Sequence, residues 1–391
     1  MKERPSHFGT GRTLARAAAV ATAVGGMLGV TATIGSASPA TSSRAHAHAV
    51  VSANAAYEIA HAGQLATKAF CGTKKITLGI QDGLGTNAWS QASMAAVRSE
   101  AAKCKNVTQD VQIGEGSLQT SISQLNSMVS KGDQAIVVIP DFGSAELPAI
   151  TSATKAGVKV VPWAANPGGK AGVNYVSYVD YLPKAAGALS AQWLVKLLHG
   201  KGNIIELGGP AGNPVSAGTL AGVLSVFKSH PGMKLLTGKS AWAVTNWDPA
   251  TAQQITASLL AKYPKIDGII SDYGTDELSA LQAFKAANRT FPAVVGADAN
   301  GLGCIWVHDH ASEPKFQLAT VSTRNWMGRI AARKAIAAAE GIKDTEPSLY
   351  SLTFYENTVA GVKPHCDPKQ PTDRYLSDAL SPATIAKYGK P

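Results

Sequence analysis

From Ile76 onward, short apolar runs alternate with segments of helical periodicity, and this alternation constrains the fold more than any other feature of the sequence. A first series contains the β-rich runs ITLGIQD, QAIVVIPD, VKVVPWA and NYVSYVD, which are separated by ASMAAVRSEAAK, SISQLNSMVSKG and ELPAITSATKAG. Strands that alternate with helices in this way favour a parallel sheet with helices on both faces. The sequence therefore predicts an α/β protein.

The same alternation then begins again. The runs GNIIELGG, KLLTGKSAW, DGIISDYG, AVVGADA and FQLATVS are predicted strands, and AGTLAGVLSVFKSH, PATAQQITASLLAKY and TDELSALQAFKAAN are the helices between them. One more helix, GRIAARKAIAAAEG, and a last strand, SLTFYEN, follow. A chain of 391 residues, 45% of them hydrophobic, can bury two cores. We expect two similar doubly wound parallel-sheet lobes in series.

Residues 1–49 differ in composition from the rest of the chain. Lys2, Arg4, Arg12 and Arg16 precede an Ala/Gly/Val-rich stretch, and small-residue sites such as Ala47-His48-Ala49 follow. This order is typical of a secretory signal peptide, with a retained membrane anchor as the alternative. The leader contains no Arg-Arg pair and no cysteine, so we expect an exported protein without a lipid anchor. Residues 50–74 would form an N-terminal extension between the leader and the lobes.

Charge and cysteine usage narrow the function classes further. The leader carries four of the ten net positive charges, and the remaining basic residues are scattered, which argues against a nucleic-acid partner. In an oxidising compartment the four cysteines predict disulfides. Cys71 precedes the first strand and Cys104 ends the first helix, at the same edge of a βα unit, so we pair them. Cys304 and Cys366 then remain as the second pair, and four unpaired buried thiols are the alternative.

Several stretches together resemble a known family. They are GTNAW, PAGNPVSAGTLAGV, DPATAQQITASLLAKYP, SDYGTDELSALQAF and VVGADAN. Their order and spacing are similar to those of periplasmic sugar-binding proteins of the ribose-binding type, over residues 75–362. The resemblance implies a monomeric solute-binding component of an ABC importer, whose two lobes close by a hinge around one small ligand and then dock on a membrane permease.

The resemblance also implies that the two lobes exchange segments. Residues 75–180 with 324–349 would form the first lobe, and residues 181–323 with 350–362 the second. The tail at residues 363–391 is expected to lie on the surface, with weak helical character. No cofactor and no metal are implied.

The stretch GLGTNA after the first strand matches a dinucleotide-binding loop in outline. Such a loop needs a small residue packed against the strand and an acid about 20 residues further on. Here Trp89 crowds the turn, and Glu115 is too far along the chain. The resemblance instead places Asn87 and Trp89 as an amide and an aromatic wall of a sugar site, which we favour.

Ligands of doubly wound sheets bind beyond the carboxyl ends of the strands, which would point strand-end residues of both lobes into one cleft. Aromatic rings pack against the C–H faces of a sugar, while Asp, Asn and Thr satisfy its hydroxyls. The resemblance matches Trp247 to a stacking aromatic and Asp298 to a hydroxyl-accepting carboxylate, although ordinary core packing stays open for each tryptophan. The predicted ligand-binding residues are Asp82, Asn87, Trp89, Trp163, Asn166, Asn213, Trp247, Tyr273, Asp298, Thr323 and Asn325.

The sequence also departs from the ribose-binding pattern. Ala164-Ala165-Asn166 stands where that pattern has an Asp-Arg pair, SAGTL replaces a segment with a second arginine, and Tyr273 replaces an asparagine. Two arginines that grip several hydroxyls at once are thereby lost. We therefore expect a less oxygenated or more apolar ligand than ribose, such as a deoxysugar, a polyol or a cyclic metabolite.

Two other classes of function are weaker alternatives. PVSAG resembles a serine-nucleophile elbow, but Pro214 replaces its first glycine, and His308-Asp309-His310 is a poor metal motif, so a secreted hydrolase or metalloenzyme is the second hypothesis. A transcription regulator would need a helix-turn-helix before the lobes. Residues 1–70 offer only the leader and one helix-like stretch, ANAAYEIAHAGQLATKAF. We expect no catalysed reaction.

Overall fold

The computed structural model of the protein describes residues 50–53, 66–85 and 87–391. The predicted signal peptide and most of the N-terminal helix-like stretch lie outside the described residues. Among the described residues, no helix is long and apolar enough to cross a membrane.

Strands and helices alternate along the chain as the sequence pattern predicts. The strands are β1 Val50–Ala53, β2 Ile76–Asp82, β3 Val107–Ile113, β4 Ala135–Ile139, β5 Lys159–Pro162, β6 Asp180–Tyr181, β7 Gly202–Gly208, β8 Met233–Leu235, β9 Ala243–Val244, β10 Gly268–Ser271, β11 Ala293–Ala297, β12 Leu318–Val321, β13 Leu349–Leu352 and β14 Phe354–Asn357. The helices are α1 Ala88–Ala101, α2 Leu118–Lys131, α3 Leu147–Lys155, α4 Pro183–Leu197, α5 Pro214–Phe227, α6 Pro249–Lys262, α7 Gly274–Ala286, α8 Asn300–Asp309, α9 Met327–Glu340 and α10 Pro382–Tyr388.

Two larger sheets organise the protein. The first sheet has the strand order β3-β2-β4-β5 and is fully parallel. The second has the order β14-β12-β11-β10-β7-β8, with β9 also paired to β7, and β14 is its antiparallel edge. The predicted fold of two parallel-sheet α/β lobes is confirmed.

The chain does not fill the two lobes strictly in sequence order. Helix α9 packs on β2, β4 and β5 of the first sheet, although it follows β12 of the second. Its Arg333 is buried and donates to Glu100 of α1 at 3.0 Å, which fixes α9 to that helix. We call the first sheet with α1, α2, α3 and α9 the first lobe, and the second sheet with α4 to α8 the second lobe. The exact lobe limits that the resemblance implies stay a prediction.

A third, small sheet is formed by two segments that pass between the lobes, β6 and β13, and by β1 from the start of the described chain. Its order is β1-β13-β6, with parallel pairs that join Val50 to Leu349 and Leu349 to Asp180. Strand β6 follows the first sheet and precedes α4, while β13 follows α9 and precedes β14. We call it the crossing sheet.

Three predicted strands differ from the structure. Of KLLTGKSAW, only Lys234 and Leu235 belong to a strand, β8. NYVSYVD forms only the two-residue strand β6 at its end, preceded by an isolated bridge between Trp163 and Val179. SLTFYEN is divided at Thr353, because β13 belongs to the crossing sheet and β14 to the second sheet. A change of sheet inside one apolar run leaves no signal in its β-propensity.

Both predicted disulfides are present. Cys71–Cys104 joins the segment before β2 to the end of α1, and Cys304–Cys366 joins α8 to the tail. The covalent links therefore hold the start of the first lobe and the start of the C-terminal tail.

The prediction that the tail lies on the surface holds only in part, because residues such as Lys369 and Lys387 are exposed while others are buried. Tyr375, Ser377 and Asp378 are buried, with at most 3% of their area exposed. Arg374 forms an ion pair with Asp378, which allows this carboxylate to be buried. The tail is an ordered part of the folded protein.

Candidate functional site

A cavity lies between the lobes, at the carboxyl ends of the strands of both larger sheets. The cavity has a volume of about 30 Å³, which is room for about two water molecules. The walls therefore lie close together, and a sugar ring enters only if they separate. The lining residues are Leu84, Asn87, Trp89, Ser90, Ile139, Asp141, Ala164, Ala165, Val215, Trp247, Asp272, Tyr273 and Arg324.

Tryptophans from both lobes form the apolar walls. Trp89, in the first turn of α1, is half-buried and stacks on the fully buried Trp163, with 5.9 Å between the ring centres. Its indole N–H donates to the backbone oxygen of Thr323 at 2.8 Å, which fixes the ring plane. Across the cavity, Trp247 packs against Tyr273 with 6.4 Å between ring centres. Such rings suit the C–H face of a cyclic or polyhydroxylated ligand.

The Trp247 wall depends on an unusual backbone. Trp247 has φ of 55°, and its ring lies directly over Gly209, where a Cβ would be 2.4 Å from ring carbons. Its indole N–H donates to Asp272 Oδ1 at 2.7 Å. Asp272 Oδ2 accepts from Ser216 Oγ at 2.5 Å, and burial raises the pKa of this carboxyl. Ser216, the serine of the elbow-like PVSAG stretch, is thus a partner of the Asp272 carboxyl.

Two acidic side chains follow the central strands of the first lobe. Asp82 Oδ1 accepts from the backbone N–H groups of Leu84 and Gly85, at 2.9 and 2.8 Å, and so shapes the loop before α1. Asp141 reaches the cavity, and its Oδ2 is buried with no hydrogen-bond partner among the described residues. Burial, then the neighbouring Asp82 and Glu146 carboxyls, raises the pKa of Asp141 well above its usual range. A protonated Asp141 can donate a hydrogen bond as well as accept one.

Arg324 contributes a cation to the lining of the cavity. Arg324 follows β12, has φ of 72°, and places its guanidinium 4.3 Å from the centre of the Tyr181 ring. Its side chain is 6% exposed and lines the cavity, and its Nε has no hydrogen-bond partner among the residues described. A guanidinium held in this way offers forked donors to ligand oxygens.

Four of the predicted ligand-binding residues line this cavity, namely Asn87, Trp89, Trp247 and Tyr273. Asn87 also caps α1, because its Oδ1 accepts from Ser90 N at 2.8 Å. Asn213 caps α5 of the second lobe through its Oδ1. Its Nδ2 donates to the backbone oxygen of Asp141 in the first lobe at 2.9 Å. Asn213 therefore links the two lobes beside the cavity.

The other predicted residues do not line the cavity. Trp163 supports Trp89 from behind, Asp82 shapes the loop, and Asn166 is exposed, with its Oδ1 accepting from Gly168 N. Thr323 and Asn325 are buried, and Asn325 Nδ2 donates to Trp89 O and Ser93 Oγ at 3.0 and 2.8 Å. They position the Trp89 wall, and any direct contact with a ligand stays a prediction.

Asp298 lies at the carboxyl end of β11, but the tail covers it. Its Oδ1 accepts from Ser377 Oγ at 2.6 Å and from Thr323 N at 3.0 Å, and its Oδ2 accepts from Ser377 N at 3.2 Å. The side chain is 2% exposed, and burial raises its pKa to about 7. Both carboxylate oxygens thus have partners within the protein, and its predicted role for a ligand hydroxyl has no test here.

The sequence-based prediction omitted Ser90 and the three charged residues of the cavity lining, Asp141, Asp272 and Arg324. Asp141 follows the apolar run QAIVVIP, and Asp272 precedes Tyr273, so both carried the strand-end signal that was applied elsewhere. Arg324 stands between the two predicted residues Thr323 and Asn325, and only its left-handed backbone turns the guanidinium to the cavity. The cavity therefore contains an arginine, although both arginines of the ribose-binding pattern are absent from their usual positions.

Comparison with known proteins fits this arrangement. The family model described as a periplasmic binding protein domain matches residues 83–343. The chain belongs to this family. Membership of this family implies an extracytoplasmic location. The match also agrees with the resemblance of the sequence to periplasmic sugar-binding proteins of the ribose-binding type.

Relatives of this periplasmic binding protein carry names of sugar and polyol receptors. It is 30% identical over 198 residues to the xylitol-binding protein of Mycolicibacterium smegmatis, a match that covers 50% of the chain and 55% of the relative. It is 28% identical over 208 residues to the multiple sugar-binding periplasmic receptor ChvE of Rhizobium radiobacter, covering 48% and 58%. The chain thus spans little more than half the length of these curated relatives.

Solved structures share the fold. A galactofuranose binding protein superposes with a TM-score of 0.63 at 21% identity, covering 73% of this chain and 96% of that one. The Caulobacter myo-inositol binding protein, bound to myo-inositol, has a TM-score of 0.63 at 20% identity, covering 73% and 94%.

Proposed function

We propose that the protein is an extracytoplasmic solute-binding protein that captures one sugar or sugar-like molecule between its lobes and delivers it to the permease of an ABC importer. The cavity between the lobes carries this proposal, because it combines facing tryptophan walls with polar groups from both sides. The names of the relatives, which include a xylitol-binding protein, agree with it. In this proposal the protein catalyses no reaction.

The lining favours a compact ligand with one apolar face. Trp89 and Trp247 offer flat apolar surface, whereas free polar capacity is concentrated at Asp141 and Arg324. A polyol, deoxysugar or cyclitol would place hydroxyls on these two groups and C–H faces on the rings. Asp272 contributes less, because Ser216 and Trp247 already hold its oxygens.

The test is a thermal-shift screen over pentoses, hexoses, deoxysugars, polyols and cyclitols, followed by calorimetric titration of the best compound. Asp141→Ala should weaken its binding about two- to tenfold, because a hydrogen bond made by a protonated carboxyl is worth roughly 0.5–1.5 kcal/mol. Trp247→Ala should weaken binding by a similar factor. Asp309→Ala, at the end of α8, removes the same group far from the cavity and should leave affinity unchanged.

Two results would contradict the proposal. One is the absence of any stabilising compound in the screen. The other is undiminished affinity in both Asp141→Ala and Trp247→Ala, which would place the ligand elsewhere on the molecule.

A further inference from the structure

The C-terminal tail contacts both lobes, although the sequence predicts a surface segment. Its first part, from Cys366 to Ser377, lies on the second lobe, and its last part, from Ala379 to Lys390, lies on the first. The tail is thus one more connection between the lobes, in addition to the passages through the crossing sheet and the segment after β12.

The attachment to the second lobe is covalent and dense. The Cys304–Cys366 disulfide fixes the tail to α8. Asn300, at the start of α8, donates to Asp367 O at 2.9 Å and accepts from Asp367 N at 2.8 Å. Further along, Ser377 Oγ donates to Asp298 at 2.6 Å. This part of the tail cannot leave the second lobe without breaking buried hydrogen bonds.

The attachment to the first lobe is non-covalent. Arg329 of α9 donates to Ala379 O at 3.1 Å, and Arg98 of α1 donates to Tyr388 O at 3.2 Å. Helix α10 packs along α1. Its Ile385 and Tyr388 pack against a buried apolar cluster to which α1 contributes Ala92, Ala95 and Ala96, and to which the second lobe contributes further side chains.

Very little chain separates the two attachments. Ser377 is held by the second lobe and Ala379 by the first, so their Cα atoms can be at most about 7 Å apart. Ala379 itself adopts φ of 54°, and Arg374 pairs with the intervening Asp378. Opening of the cleft therefore either rotates the chain at this point or detaches α10 from α1.

We propose that the tail is a strap that limits how far the lobes open and so favours the closed arrangement that holds the ligand. The inference rests on the proposed hinge closure. A ligand that binds only the closed form has an apparent affinity proportional to the fraction of free protein that is closed. Loss of the strap lowers this closed fraction and therefore weakens binding.

The experiment compares Ile385→Asp with Ala386→Asp. Both add one charge to α10, but Ile385 packs against the buried apolar cluster whereas Ala386 is exposed. A chain that ends after Leu380 removes α10 without touching the disulfide or the contact of Ser377 with Asp298. Small-angle scattering without ligand should give a larger radius of gyration for Ile385→Asp and for the shortened chain than for the wild type and Ala386→Asp.

The affinity of the compound found in the screen should fall about tenfold in the two strap variants if the closed fraction falls by that factor. Circular dichroism and disulfide mapping confirm that each variant is folded, and the shortened chain replaces Ile385→Asp if that variant does not fold. Equal radii for folded strap variants and wild type would overturn the strap. A wild type whose radius does not change with ligand would instead contradict hinge closure itself.

Discussion

Asp298 and Trp247 lie at the same edge of the second sheet, and the sequence predicts a ligand contact for both. Trp247 faces the cavity, whereas Asp298 accepts three hydrogen bonds from Ser377 and Thr323. The strand-end rule gives the edge at which a side chain lies, but not whether another part of the chain already occupies its partners. Arg324 is the opposite case. The sequence analysis did not predict it as a ligand contact, but its positive φ turns the side chain toward the cavity.

Glu146 gives a pH-dependent prediction. It is buried beside Asp141, and burial raises its pKa from 4.5 to about 7, although its Oε2 accepts from Phe142 N at 2.9 Å. The folded protein therefore binds this proton more tightly than the unfolded chain does. Its contribution to stability, of order 3 kcal/mol, is complete below about pH 4.5 and is lost as the pH rises through about 7.

The melting temperature should accordingly fall between pH 5 and pH 8, and Glu146→Gln, which cannot ionise, should show a smaller fall. Asp180 and Asp298, whose pKa values burial also raises to about 7, contribute in the same direction. Glu115→Gln changes an exposed residue and is the control. An identical pH profile for Glu146→Gln and the wild type would show that Glu146 ionises normally in the fold.

At the scale of elements, the two disulfides should differ in what they stabilise. They close loops of 33 and 62 residues, and each can contribute about 4 kcal/mol on the chain-entropy model. Cys71–Cys104 holds the start of the first lobe, while Cys304–Cys366 holds the tail on α8. We expect the double variant Cys304→Ser/Cys366→Ser to lower the urea midpoint and to increase amide exchange in residues 366–390.

The matched variant is Cys71→Ser/Cys104→Ser, which should lower the urea midpoint but leave amide exchange of the tail unchanged. Peptide mapping without reductant verifies the remaining pair in each variant. Faster tail exchange in both double variants would mean that the tail loosens with global stability and is not held locally by its own disulfide.

Sequence periodicity located α1 to α3, α5 to α7, α9 and most strands of both lobes, because each has an apolar face of regular period. Strand β3 and helices α4 and α8 were not among the predicted elements. Periodicity did not predict that part of the tail is buried, because Ser377 and Asp378 are polar and Ser377 finds its partner Asp298 far away in the chain. It also treated SLTFYEN as one strand. Which sheet a strand joins depends on partners far away in the chain, so neither outcome could be read from local sequence.

At the scale of the whole molecule, the close approach of the cavity walls predicts a change in size. Asn213 of the second lobe donates to Asp141 O of the first, so a hydrogen bond joins the two lobes directly across the cleft. We expect scattering to show a smaller radius of gyration with saturating ligand than without it. Asn213→Asp keeps the oxygen that caps α5 but loses the bridging donor, so this variant should compact less.

Wild type and Asn213→Asp should be measured at ligand concentrations that saturate each, because a weaker affinity alone would mimic incomplete closure. Equal compaction of both proteins would show that the bridge does not contribute to the closed form, and an unchanged wild-type profile would argue for a rigid receptor.

Strand β1 pairs with β13 in the crossing sheet, which places Val50–Ala53 beside the axis about which the lobes would rotate. A point near the axis of a rotation moves least. The backbone pairing of β1 with β13 is therefore disturbed least when the lobes open and close.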